Sequence, residues 1–290
     1  MIVTGGAGQL GRAFTASLGK SGAKVAVVDR VPVKETDGVL SVACDITNRA
    51  SLEKGLASIE KAWETPFGLV NAAALDSPPD APPEENGPFE TYPEASFDRI
   101  MSVNVKGTFL CCQVFGGAMA ARGRGSIVNI ASIYGMVSPD QSLYQYRRDR
   151  GEIFYKPVAY ATSKSAIYNL TRYLAAYWGG KGVRVNTLTL GGVYNNQDPK
   201  FLEHYNAKVP LGRMADANEY NGVVQFLLSD AASYVTGSNI VADGGFTALY
   251  EVPANRGGHG HRDERDHRKL DQRRAKARDL GCHLREALAA

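Results

Sequence analysis

Ile2-Val3-Thr4-Gly5-Gly6-Ala7-Gly8-Gln9-Leu10-Gly11 reads as a short strand, a glycine-rich turn and the start of a helix. Glycine is needed there because the backbone must turn tightly and come close to phosphate oxygens, while a helix N-terminus offers free N–H groups to an anion. Gly5, Gly8, Gln9, Leu10 and Gly11 are therefore candidate contacts for a dinucleotide pyrophosphate. Apolar strand patterns follow at 24–29, 39–45, 67–74, 126–132, 183–190 and 240–245, separated by helical patterns at 12–21, 48–63, 97–119, 160–178 and 218–229. Strands that alternate with helices build parallel sheets, because a parallel neighbour needs a crossover connection. The pattern predicts an α/β fold over residues 1–250: a single Rossmann-type doubly wound parallel sheet with helices on both faces.

The strand after the first helix ends in Asp29, about 20 residues beyond the glycine turn. A carboxylate there accepts hydrogen bonds from the adenosine ribose and repels a 2′-phosphate, which favours NAD. Arg30 beside it pulls the other way, since a guanidinium accommodates that phosphate. The strand at 67–74 ends in Asn71-Ala72-Ala73-Ala74, small side chains that let a cofactor lie against the backbone.

A second constellation lies further on, where Ser126-Ile-Val-Asn-Ile-Ala-Ser132 is an apolar strand and Tyr160-Ala-Thr-Ser-Lys164 opens a helix. Residues four apart share a helix face, so the Tyr160 phenol and Lys164 ammonium can serve one site. A phenol is a poor acid or base at neutral pH, and a neighbouring cation is expected to favour its phenolate. Ser132, at its strand end, can hold a substrate oxygen.

With both motifs in hand the chain resembles the short-chain dehydrogenase/reductase family over about residues 1–250. Members carry an Asn-Ser-Tyr-Lys set, matched here by Asn104 in Val-Asn-Val-Lys-Gly, Ser132, Tyr160 and Lys164. The resemblance implies that Asn104 interrupts its helix and holds a water behind the lysine. It also implies that Asp45 and Ile46 flank the adenine, that Asn71, Ala72 and Ala73 border the cofactor, and that Gly191 and Val193 meet the nicotinamide side. Here Ala74 replaces the glycine of the usual Asn-Asn-Ala-Gly motif, Leu190-Gly191 replaces Pro-Gly, and Asn195 stands where a threonine often contacts the cofactor. Residues 196–213 would form a substrate lid. Family members pair through the helices bearing Asn104 and Tyr160, which implies a homodimer or homotetramer.

Ser132 and Tyr160 are 28 residues apart, longer than is usual in the family. An insertion between two such residues belongs over the site mouth, outside the carboxyl ends of the strands. It carries Tyr134, Arg147, Arg148 and Arg150, which are candidate substrate contacts because guanidinium forks bind phosphate and aromatic rings stack on sugars and bases. A solvated charged turn is the alternative. Six prolines between Leu75 and Pro93 deny helix and strand and predict a stiff, shaped flap.

The expected activity is hydride transfer between nicotinamide and a carbinol or carbonyl carbon, with NAD preferred. The insertion and proline-rich loop resemble a family subgroup from bacterial surface-sugar and flagellin-glycan pathways, implying a sugar or nucleotide-linked sugar. A 3-oxoacyl-type ketone reductase is the enzymatic alternative, and it would be expected to use NADPH. A non-catalytic dinucleotide-binding scaffold or sensor is the other; the complete Asn-Ser-Tyr-Lys set argues against it, since a sensor needs no proton donor.

Composition bounds the remaining classes. No apolar run approaches the roughly 20 residues that span a bilayer, and the chain enters its first strand with no room for a secretory signal, so a cytoplasmic enzyme is expected. Cys44, Cys111, Cys112 and Cys282 have neither zinc-ligand nor disulfide spacing, and His259 and His261 lack partner ligands, so no metal is expected. Residues 251–290 hold ten Lys/Arg against seven Asp/Glu, which accounts for the whole net charge of +3. These mixed signs argue against a nucleic-acid arm, and the tail reads as disordered or loosely helical.

Overall fold

The computed structural model describes residues 1–76 and 82–249. The chain runs β1 (Ile2–Thr4), α1 (Gln9–Lys20), β2 (Val25–Asp29), β3 (Val39–Ala43), α2 (Arg49–Ala62) and β4 (Gly68–Asn71). Next come α3 (Glu94–Met101), α4 (Thr108–Cys111), α5 (Gly117–Arg122), β5 (Gly125–Ser132) and α6 (Gln145–Arg148). It closes with α7 (Val158–Trp178), β6 (Val183–Leu190), α8 (Pro199–Asn206), α9 (Asn221–Leu228) and β7 (Asn239–Ala242).

Seven strands form one parallel sheet in the order β3-β2-β1-β4-β5-β6-β7, as the alternating pattern predicts. The winding reverses between β1 and β4, and a crevice outside the carboxyl ends of the strands at such a switch point is where ligands bind in sheets of this kind. Side chains alternate across the strands with period two. Ile2, Ala26 and Val28 enter a core shared with Leu52, Phe115, Met119 and Trp178, while Val3, Val25 and Val70 enter the opposite core with Phe14, Leu18 and Leu227. The central strands are thus dry on both faces, which is why they read as continuous apolar runs.

Two elements depart from regularity in ways that bear on the site. Between Glu94 and Arg122 the helix is interrupted by π-turns at Ser102–Gly107 and Cys112–Gly116, and the first contains Asn104. The interruption expected from the resemblance is present. The 133–157 insertion is packed against the lid through a third apolar cluster of Leu143, Tyr144, Tyr146, Phe201, Tyr205, Val209 and Met214. Phe154, Tyr144, Phe201, Tyr205 and Phe246 form a ladder of rings with successive centroids 4.9 to 5.6 Å apart. Ion pairs Arg150–Asp198 and Lys208–Asp140 cross the same seam, so insertion and lid are one packed unit.

The flap forms short 3₁₀ turns at Pro83–Asn86 and Phe89–Thr91, and Glu85 within it grips Arg99 with both carboxylate oxygens. Cys44, Cys111 and Cys112 are free and buried. Among the described residues no helix is long and apolar enough to cross a membrane, and no group of three or more His, Cys, Asp or Glu is placed to hold a metal. The tail, with Cys282, His259 and His261, lies outside the described residues.

Candidate active site

The glycine turn is built for a close ligand. A Cβ on Gly11 would lie 2.1 Å from the Gly5 carbonyl oxygen, and one on Gly5, where φ is +66°, would lie 2.6 Å from the Ala73 Cα. Helix α1 begins at Gly8 with no side-chain cap and no acidic residue in its first turn, so its leading N–H groups remain open to a pyrophosphate. The Ala72 and Ala73 amides donate to Thr4 Oγ1, which draws the end of β4 against this turn. Gln9 reaches across to donate to the Tyr194 carbonyl at 2.7 Å, tying the turn to the segment after β6, while Leu10 packs on the core with Phe14. Gly191 sits where a Cβ would meet the Asp243 backbone at 2.7 Å, and the Val193 carbonyl accepts from Gln197. These features fit a dinucleotide lying along the carboxyl ends of β1, β4 and β6.

Asp29 ends β2, and its carboxylate accepts from the Ala7 amide of the glycine turn at 3.0 Å and from Val31 at 2.9 Å. An acidic group thus stands beside the pyrophosphate turn, where an adenosine ribose would lie. Arg30 is exposed beside it. Asp45 folds back on Thr47 to open α2, and these hydrogen bonds, with a smaller pull from Arg30, hold its carboxyl below the usual range.

Two residues expected to line the cofactor turn away from it. The Asn71 side chain is buried in the sheet, donating to Asn129 Oδ1 at 2.8 Å and to Cys112 Sγ, so only its backbone can border a ligand. Ile46 is buried in the core, and a Cβ on Gly107 would meet it at 2.6 Å. Apolar burial holds Ile46 inward, and the buried hydrogen bonds to Asn129 and Cys112 hold Asn71.

At the end of β5 the structure brings Ser132, Tyr160 and Lys164 together. Tyr160 hydrogen-bonds with the Ser132 hydroxyl, and the Lys164 ammonium lies 5.7 Å from the Tyr160 ring centroid. Lys164 is 5% exposed, donates to the Ile130 carbonyl at 3.0 Å, and is lowered to about 8 by burial, with Asp76 pulling the other way. The acidity of Tyr160 corrects the sequence expectation. Burial pushes its phenol up, Asp76 adds to the rise, and only the Ser132 hydrogen bond opposes them. Desolvation wins because the ammonium meant to favour the phenolate is itself disfavoured by the same dry surroundings.

Asn104 makes contacts beyond the water-holding role that the resemblance implies. Its carbonyl accepts from Thr108 Oγ1 at 2.8 Å. Its side-chain amide grips the Leu75 backbone, accepting from N–H at 2.7 Å and donating to the carbonyl at 2.8 Å, and it donates to Ser163 at 2.9 Å. Asn104 therefore pins the loop after β4 to the helix that carries Tyr160 and Lys164.

The insertion's guanidiniums are spent internally. Arg147 pairs with Glu152 and lies 4.0 Å from the Phe154 ring centroid. Arg148 donates to the carbonyls of Phe154 and Gln141 and to Gln145 Oε1, and Arg150 reaches Asp198 of the lid. The expected phosphate clamp is thus not preformed, because each fork already has acceptors within insertion or lid. Arg148→Ala is expected to loosen residues 141–156 at a cost of about 1.5–3 kcal/mol for hydrogen bonds from a charged group. Faster amide exchange across that segment, with little change in the KM of a phosphorylated substrate, would be the signature. Tyr134 faces inward beside Tyr144, and burial pushes its phenol up.

Two neighbours of Tyr160 were not among the candidate site residues, although Lys156 is one of the basic residues of the insertion. Asp76 forms an ion pair with Lys156, whose Nζ lies 5.0 Å from the Tyr160 ring centroid. Lys156 precedes Tyr160 by the same four positions by which Lys164 follows it, but it lies before the helix, where helical spacing says nothing about direction.

Comparison with known proteins accords with this geometry. A family profile described as "Enoyl-(Acyl carrier protein) reductase" matches residues 5–247. The chain is 32% identical to 2-(S)-hydroxypropyl-CoM dehydrogenase 3 of Xanthobacter autotrophicus, covering 86% of this chain and 96% of that protein. It is 31% identical to NAD-dependent glycerol dehydrogenase of Listeria innocua, covering 85% and 92% respectively. A short-chain dehydrogenase from Leptospira borgpetersenii, solved with bound NAD+, superposes with a TM-score of 0.76 at 34% identity, over 85% of this chain and 91% of that one. With a matching profile over most of its length and relatives of this kind, the chain belongs to the short-chain dehydrogenase/reductase family of nicotinamide-dependent oxidoreductases.

Proposed function

We propose that this chain is a cytoplasmic NAD-dependent dehydrogenase acting on a secondary hydroxyl of a sugar or polyol. The observation that carries this reading is the meeting of Ser132, Tyr160 and Lys164 at the end of β5, beside the glycine turn's phosphate cradle. A bound nicotinamide supplies the hydride acceptor or donor. Tyr160 Oη exchanges the proton of the reacting oxygen, Ser132 Oγ holds that oxygen, and Lys164 serves the ribose and the phenol. Asn104 keeps the surrounding loop in place. Glycerol is the substrate named for the Listeria relative. The surface-sugar subgroup supports a sugar, but a nucleotide-linked one loses the support of Arg147, Arg148 and Arg150. Exposed Phe109, Tyr173 and Tyr177, on the helices next to Asn104 and Tyr160, support pairing into a homodimer or homotetramer.

The test is a screen of polyols, free sugars and nucleotide sugars with NAD and NADP, following absorbance of the reduced cofactor. Turnover of an acetoacetyl thioester with NADPH, and of no sugar or polyol, would replace this reading with the ketone-reductase one. Asp29→Ala is expected to lower the preference for NAD over NADP by about 1–3 kcal/mol, the value of hydrogen bonds to a charged group. Unchanged kinetics with both cofactors would remove Asp29 from that role.

A further inference from the structure

We propose that the Asp76–Lys156 pair determines substrate specificity by binding a second hydroxyl adjacent to the reacting carbinol, so that the enzyme selects vicinal diols and uncharged polyols over monohydric alcohols. The inference rests on the dehydrogenase reading above and extends it to residues that the Asn-Ser-Tyr-Lys set does not include.

Both members of the pair are held by their backbones. Leu75, next to Asp76, has its N–H and its carbonyl bound by the Asn104 side chain. Lys156 is gripped in the same manner by Gln141, whose amide accepts from the Lys156 N–H at 2.9 Å and donates to its carbonyl at 3.1 Å. Gln141 is itself fixed, since its carbonyl accepts from Arg148 at 2.7 Å. The insertion's internal hydrogen bonds therefore converge on placing one ammonium. That ammonium belongs to a side chain only 10% exposed and lies 5.0 Å from the Tyr160 ring centroid, while the Asp76 side chain is 52% exposed. The Asp76 carboxylate is also close enough to disfavour ionisation of Tyr160, Tyr134 and Tyr144, pushing each phenol up. The pair thus stands at the reacting phenol with its carboxylate open to solvent.

The chemistry of the pair selects its ligand. An ammonium has three donors and a carboxylate about four acceptor positions, so the mutual contact leaves both with capacity to spare. A hydroxyl donates and accepts at once and can satisfy both groups without breaking their contact. An incoming phosphate or carboxylate would meet the Asp76 charge, and the three arginines that would offset it are engaged elsewhere. A monohydric alcohol would leave the buried lysine and its partner without the hydrogen bonds that the site offers.

The experiment compares kcat/KM for meso-2,3-butanediol and 2-butanol, which differ by one hydroxyl, with glycerol and galactitol as further polyols and with NAD and NADP each supplied. Wild-type enzyme is expected to favour the diol about 10- to 100-fold, as hydrogen bonds to charged groups allow. Asp76→Asn and Lys156→Met should bring that ratio down at least tenfold, and Asp76→Glu and Lys156→Arg should recover part of it. The ratio cancels any change in Tyr160 acidity or in the fraction folded, because both substrates need the same proton transfer from the same protein. A wild-type ratio near one, or ratios that stay unchanged in the variants, would overturn the inference and leave the dehydrogenase reading intact. No turnover of any of these alcohols with either dinucleotide would overturn both.

Discussion

Tyr160→Phe is expected to lower kcat by about 100- to 10,000-fold, the contribution of a positioned proton-transfer group, while leaving the fold and the dissociation constant for the cofactor unchanged. The substitution removes one hydroxyl that hydrogen-bonds with Ser132, and Phe keeps the ring that both lysines approach. Because the lost interaction acts on the reacting oxygen, kcat and kcat/KM should fall together. Steady-state kinetics beside a cofactor titration would check this, and near-normal turnover in the variant would exclude Tyr160 as the proton carrier.

Lys164→Met is expected to abolish most turnover and to change the pH dependence of stability in a defined direction. In the folded protein burial lowers Lys164 from 10.5 to about 8. Between these values the unfolded chain binds more protons than the folded one, so the lysine's contribution to stability rises with pH across that window. Below about pH 8 the full cost of holding a buried ammonium is present, and it fades as the amine becomes neutral in both states. A depression of that size corresponds to about 3 kcal/mol at 1.36 kcal/mol per pH unit. The unfolding free energy of wild type minus that of Lys164→Met should accordingly grow by about 3 kcal/mol from pH 7 to pH 10.5. The Ile130 carbonyl, left without its donor in the variant, lowers the variant's stability at every pH and does not alter the slope. Denaturant unfolding at several pH values would measure it, and a flat difference would mean that the ammonium is hydrated.

The elements most legible in the sequence are those whose physics is local. Strand β6 was readable to its end residues because a dry strand is a continuous apolar run, and α2 to within one residue at each end, where the structure shows Asn48 as the cap. The π-turn around Asn104 was legible only through resemblance, since nothing in Ser102–Gly107 distinguishes a π-turn from an α-helix by pattern. Ser132, Tyr160 and Lys164 were recognisable by motif, yet the acidity expected for Tyr160 had the opposite direction, because burial is a property of everything packed around the phenol.

The same division explains the charges. The number and sign of the insertion's arginines can be counted, but Arg150 meets Asp198 and Lys156 meets Asp76 across 48 and 80 positions of chain, separations that no spacing rule reaches. The sequence by itself determined the parallel sheet, its order of strands and helices and the glycine turn, all of which follow from backbone freedom and side-chain periodicity over a few residues, and through resemblance it marked the candidate Asn-Ser-Tyr-Lys set. Only the tertiary structure decided which charges are already neutralised, which side chains face the core, and that a second lysine stands over the tyrosine. Those outcomes depend on desolvation and on long-range juxtaposition, which exist only once the chain has closed on itself.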